Sequence, residues 1–338
     1  MSEAKPLQIR QRVARWVLLL LVVAAGGIWA LIWWSSRPVE ARLTELRWHP
    51  IKDALTGEPA TVSAAGTAYV HVVGATFARS DDGGKTWPTI EVALPDAKPT
   101  DAWTSPVFAP KDAKIYALSG DGTVIASEDD GATWRAIAAN LPRKTRVERL
   151  VASPDTALIA ITTKGAVLRT WDDGKSWKPL ATPKEAGVPE ALVVDPAHPS
   201  TILIGSRAKG IFRTVDGGTD WQNVAPPITG AAPLQLIVDA KASTRYWALS
   251  GGTIVRSSDG GATWKELTNP AIVQIARDGQ NGRMYAVTKS GETLASRDDG
   301  AHWGVIARGG VGSTTPIVAA WGVVYGTLNG TVGTLADR

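Results

Sequence analysis

The carboxylates are the first residues to weigh for chemistry. Asp82, Asp129, Asp172, Asp216, Asp259 and Asp298 each stand third in an eight-residue segment. Each segment opens on Ser or Thr, has Gly at its fifth place and closes on Trp. A carboxylate can act as a general acid or base. This spacing gives it a nearer task, because an Asp so placed accepts hydrogen bonds from the backbone N–H groups of its own turn. The glycine permits a backbone conformation that side chains resist. The hydroxyls brace the loop, and the closing Trp87, Trp134, Trp177, Trp221, Trp264 and Trp303 are apolar plugs that pack under it. All twelve residues are therefore read as structural. Two segments depart at the seventh place, where Asp220 and His302 stand instead of Ser or Thr and weaken the turn.

Other catalytic or ligating patterns are missing. The chain has no cysteine, which excludes disulfides, zinc–thiolate sites and a cysteine nucleophile. His49, His71, His198 and His302 lack metal-ligand spacing, and no Ser-His-Asp arrangement stands out. Gly309 to Gly312 is followed by no lysine and reads as a loop, not a phosphate cradle. No catalytic residue, metal or cofactor is expected. One cluster of charge is a candidate binding surface. Arg143, Lys144, Arg146 and Arg149 fall in or just after one connection between repeats, Lys184 falls in the next, and Lys164 and Lys209 sit in the matching hairpins. Solvated surface is the plainer reading. The sharper one is a basic docking patch for an acidic protein loop or lipid headgroups.

The elements that must carry these residues repeat. The six segments begin at 80, 127, 170, 214, 257 and 296, intervals of 47, 43, 44, 43 and 39 residues. A period in the low forties matches one four-stranded propeller blade. In the fourth repeat, Glu190–Asp195, Thr201–Gly205, Ile211–Thr214 and Trp221–Ala225 read as inner to outer strands, the inner pair almost continuously apolar. Tyr69, Tyr116, Tyr246, Tyr285 and Tyr325 all fall on a second strand and read as core. Three further strands follow the sixth segment, and Leu43–Trp48 is an orphan strand near the start. Pairing it with them completes a blade and removes exposed edges. The expected fold is an all-β single propeller over residues 43–338, with seven four-stranded blades and an N-terminal strand latch; six and eight blades are the alternatives.

Ahead of it, Trp16–Trp34 is uncharged and apolar. As a helix it spans roughly 28 Å, the thickness of a bilayer core. Lys5, Arg10, Arg12 and Arg15 precede it against Glu3 alone, which by the positive-inside rule leaves residues 1–15 cytoplasmic. Residues 35–42 form a short polar linker. A cleaved signal peptide competes with this anchor, but the run is long and no small-x-small site follows it. The sequence thus predicts a single-pass protein of a bacterial inner membrane, its propeller periplasmic or otherwise extracytoplasmic. The rest of the chain is near neutral, which argues against a nucleic-acid partner.

The six segments resemble the Asp-box of BNR-repeat propellers, a family spanning sialidases, xyloglucanases, sorting receptors and photosystem assembly factors. In that family the box is a rim turn away from the active face. Sialidases of the family use an arginine triad, a tyrosine–glutamate pair and an aspartate. Here the tyrosines sit at repeated strand positions, and the arginine motif before the first box is absent. The chain is most similar to the photosystem II stability/assembly factor group, though it keeps a transmembrane helix where those factors are usually lumenal or lipid-anchored. The resemblance implies a non-catalytic scaffold, assembly factor or accessory subunit, with integral-membrane subunits as partners and the bilayer bound through residues 16–34. A carbohydrate-binding or sialidase-like propeller is the alternative. Two carboxylates across the channel would mark it.

Overall fold

The computed structural model describes residues 46–50, 57–62, 68–72, 76–91, 103–108, 114–119, 122–129, 131–137, 141, 145–153, 155, 157–206, 209–225, 234–268, 270–309, 317–320, 322–328 and 331–336. The chain divides into Met1–Thr44 and Glu45–Arg338. The expected anchor and linker lie in the first unit, outside the described residues. Among the described residues no helix is long and apolar enough to cross a membrane.

Seven antiparallel sheets of four strands make up the second unit, a seven-bladed propeller. Blade four runs Ala191–Val194, Ile202–Ser206, Gly210–Thr214 and Gln222–Ala225, within a residue of the sequence reading. Its two inner strands are wholly buried, as strands packed on both faces must be. Hydrophobic clusters lie between blades. One joins Tyr116, Leu118 and Val124 of blade two to Val147, Leu150 and Leu158 of blade three. All five tyrosines are buried on second strands.

The last blade is completed by an N-terminal latch strand, whose described part lies just beyond Leu43–Trp48. The strand that pairs with Thr331–Ala336 is His49–Pro50. Just ahead of it, the Trp48 indole Nε1 donates to Thr293 Oγ1 of blade six at 3.0 Å. Pro50, which lacks an N–H, suits an edge strand.

The eight-residue turns connect third to outer strands and share the Ser/Thr–Asp–Gly bonds, while the indole N–H closes four of them; Trp177 Nε1 and Trp303 Nε1 have no partner among the described residues. In the first, the Ser80 hydroxyl donates to Asp82 Oδ1 at 2.9 Å and accepts from Gly84 N at 2.8 Å. Asp82 also accepts from Thr86 N at 3.0 Å and the Thr86 hydroxyl at 2.7 Å. Trp87 Nε1 closes the turn on Gly84 O at 3.0 Å. The indole then meets Tyr325 edge-on at 5.8 Å, tying blade one to blade seven across the closure. In the sixth turn His302 Nδ1 stands 2.6 Å from Asp298 Oδ2, where the others have a hydroxyl. In the fourth, Asp220 supplies only its N–H, at 3.1 Å.

These turns also fasten neighbouring blades. Gly174 has φ +80°, and a Cβ there would overlap the carbonyl oxygen of Ile137 in blade two. Lys114 Nζ and Tyr116 Oη of blade two donate to Asp173 in the turn of blade three, at 2.8 and 3.0 Å. A second fastening lies at the ends of inner strands, where buried carboxylates reach the next blade. Asp195 accepts from Tyr246 Oη at 2.9 Å, Asp239 from Arg277 at 2.7 Å and Asp278 from Gly322 N at 2.6 Å.

Candidate functional site

In a propeller the turns between second and third strands share a face with the connections from one blade to the next. The candidate cations stand on that face. Arg143 and Lys144 lie outside the described residues. Arg146 and Arg149 flank the start of the inner strand Val147–Ala152, Lys164 tips the hairpin of blade three, Lys184 opens a 3-10 turn, and Lys209 tips the hairpin of blade four; all five are exposed.

Backbone contacts join them into a row. The stem of Arg146 lies where a Cβ on Gly122 of blade two would be, and Arg146 O accepts from Thr163 N, beside Lys164, at 3.0 Å. A Cβ on Gly165 would sit 3.2 Å from Val188 Cα, and one on Gly187 would sit 3.5 Å from Lys209 Cγ. Among the described residues none of the five cations forms an ion pair. Glu148 and Glu185 are the exposed carboxylates set among them.

On the opposite face several basic groups are neutralised in place. Arg169 is buried and binds Asp155 at 2.6 Å with Trp171 stacked on its guanidinium. Arg277 bridges Asp239 and Asp299, and Arg245 joins the same two carboxylates. Asp173 and Asp299, in the fourth place of their turns, hold left-handed backbone at φ 55° and 60°. Asp tolerates that conformation better than most residues. Sequence reading missed their role, and adjacent aspartates were the available signal.

The turn aspartates are poorly suited to proton transfer. The Ser176 hydroxyl, then its N–H, hold Asp172 at a pKa of about 2, and the Thr263 hydroxyl and N–H do the same for Asp259 at about 2. Asp82 is lowered by Thr86, Asp129 by Thr133 and Asp216 by the Thr214 hydroxyl. At Asp298 burial pushes upward, but the His302 N–H and ring outweigh it. Groups ionised so firmly have no proton to give at neutral pH. The buried Tyr246 phenol is likewise no candidate, since burial and then its bond to Asp195 push its pKa upward.

A cavity of about 560 Å³ opens along the axis between blades two and six. Leu150, Leu192, Leu234, Leu236, Ile237 and Ile275 form most of its wall, and Glu148, Arg149 and Gln235 are its polar members. Among the described lining residues Glu148 is the single carboxylate, and no aromatic side chain is present. No cluster of His, Asp or Glu among the described residues could hold a metal ion.

Residues 54–201 match the DUF6242 beta propeller domain. No curated protein matches the chain in sequence. YCF48 from Cyanidioschyzon merolae superposes with a TM-score of 0.61 at 14% identity, covering 86% of this chain and 98% of that one. A structure of YCF48 bound to D1 peptide gives 0.61 at 19% identity, over 86% and 96%. The GH74 enzyme of Niastella koreensis gives 0.65 at 16% identity over 84% of this chain, which spans only 44% of that enzyme. Such identities establish a shared fold alone. With 1567 solved chains matching, the fold by itself selects no function.

Proposed function

We propose that this chain is a membrane-tethered, non-catalytic propeller of the Asp-box type that docks on an integral-membrane protein complex as scaffold, assembly factor or accessory subunit. The row of exposed cations on one face, without ion pairs among the described residues, carries this reading. Unpaired charge on a rigid surface steers an oppositely charged partner and fixes its orientation. The apolar run at residues 16–34 supports a tether in a bacterial inner membrane, with the propeller on the extracytoplasmic side. A tether raises the local concentration of the docking face near membrane partners. The likeness to YCF48, which has been solved with a D1 peptide bound, supports a protein ligand, and photosynthetic complexes are one case among those such a propeller could serve.

A glycan-binding or glycoside-cleaving role draws support from the likeness to the GH74 enzyme. Against it stand the lone carboxylate and the lack of aromatics among the described channel residues, since glycosidases need two carboxylates flanking the bond. Mass spectrometry of what co-purifies with the tagged protein from gently solubilised membranes tests the proposal. Stoichiometric recovery of integral-membrane subunits is the expected result. Recovery of the protein alone, also after mild crosslinking, would overturn it.

A further inference from the structure

The channel wall contains an arrangement that a docking face does not require. In a regular strand, consecutive side chains face opposite sides. The inner strand of blade three breaks that rule, because its pairing with Leu158–Thr162 slips between Val147 and Arg149 and leaves Glu148 as an extra residue. Bulges of this kind re-aim side chains and are frequent beside binding sites. Here Val147 and Leu150 stay buried while Glu148 and Arg149 are both exposed, and both line the axial cavity. The inner strands of blades four and five keep regular register and place no charge there. Gln235, the third polar member, already accepts from Ile275 N at 3.1 Å.

Among the described residues the cavity therefore offers one carboxylate and one guanidinium on consecutive residues, whose Cα atoms lie about 3.8 Å apart. Neither forms an ion pair, with the other or with any described residue. Around them the open apolar surface is that of Leu236 and Ile237, while Leu150, Leu192 and Leu234 are buried behind it. Gln235–Val238 of blade five is half-exposed along its whole length, whereas Ala191–Val194 of blade four is buried. An open apolar wall with a few convergent polar groups, in a cavity of about 560 Å³, has the size and character of a small-molecule site.

We propose that the axial channel binds a zwitterionic amphiphile. Its apolar tail lies against the half-exposed Leu236 and Ile237 of blade five. Its compact head presents an anionic group to Arg149 and a cationic group to Glu148. An anionic amphiphile would set its charge against Glu148, and a cationic one would set it against Arg149; like charges brought together oppose binding. A phosphoethanolamine lipid and a free apolar amino acid carry the same kind of head, and the size of the cavity selects the former. This inference goes beyond the docking role and needs no protein partner.

The test uses the full-length protein in amphipol, with calorimetric titration of monomeric lysophosphatidylethanolamine, lysophosphatidylglycerol of the same chain length, and leucine. The zwitterionic lipid should bind about tenfold more tightly than the anionic one, the scale of a single charge contact. Glu148→Gln should erase that preference by admitting the anionic lipid, and Arg149→Gln should weaken the zwitterionic lipid about tenfold, as loss of one charge-assisted contact does. Leu236→Asp should weaken both lipids. All three substituted residues are exposed or half-exposed, and an unchanged thermal midpoint confirms that the variants fold. Absent binding, equal affinity for both lipids, indifference to the two charge substitutions, or leucine binding as tightly as the lipid would each overturn the proposal.

Discussion

Replacing Gly174 by alanine should cost far more than the same change at Gly83, although both glycines lie in aspartate turns with similar backbone. Gly83 has φ +74° and nothing within 4 Å of an added Cβ; Gly174 has φ +80° and the Ile137 carbonyl oxygen in the way. That carbonyl cannot swing aside freely, because Ile137 N is held by Val124 O at 2.9 Å. Left-handed strain of about 1–2 kcal/mol applies to both variants. Stiffening of the unfolded chain by alanine offsets it equally in both, by about 0.4–1 kcal/mol. At Gly174 blades two and three must also part slightly, an overpacking cost of about 1–3 kcal/mol. The difference between the variants is therefore about 1–3 kcal/mol, or roughly 2 °C of Tm per kcal/mol in a domain of this size. Thermal and urea unfolding of the full-length variants, followed by tryptophan fluorescence, reads it. Equal shifts would show that the turns do not fasten the blades by close backbone approach.

The other perturbations address the same turns and their ion pairs. Asp220→Thr supplies the hydroxyl that the fourth turn lacks and should stabilise by a few tenths to about 1 kcal/mol, the net worth of one exposed hydrogen bond; a loss of stability would count against the bonding scheme. Asp239→Asn removes one carboxylate from the buried pair with Arg277 and should destabilise by about 3 kcal/mol, because a charge is left underpaired in the interior; a loss below 1 kcal/mol would show that Asp299 suffices. The depressed pKa values set the acid limit. A carboxylate whose pKa is lower folded than unfolded stabilises the fold above its ordinary value of 3.8 and loses that contribution as pH falls toward about 2, the value for Asp172 and Asp259. The urea midpoint should fall between pH 4 and 2, and a midpoint flat over that range would contradict the assignment.

Much of the ring was legible because its information is local. The turn motif fixes six third-to-outer connections by itself, and the apolar runs between copies fix the strands to within a residue. What escaped depends on partners distant in sequence. Trp48, beside the latch strand, bonds to a threonine 245 residues away, a contact that no periodicity reveals. Glu148 and Arg149 share the channel because of a register slip, and alternation along the strand would have set them on opposite faces. The sequence reading ended an inner strand on Asp195 and did not single out Asp239 or Asp278, and only the closed ring brings each against the next blade. Of the candidate cations, Arg146, Lys164, Lys184 and Lys209 lie along one row because consecutive blades repeat the same face.

The most direct test of the docking account is quantitative co-purification from native membranes with Arg146→Glu and Lys184→Glu combined. The control carries Lys178→Glu and Lys265→Glu, the same charge change on exposed outer strands away from that face. The account predicts loss of membrane-complex subunits from the first variant and their retention by the second. Equal retention by both would contradict it.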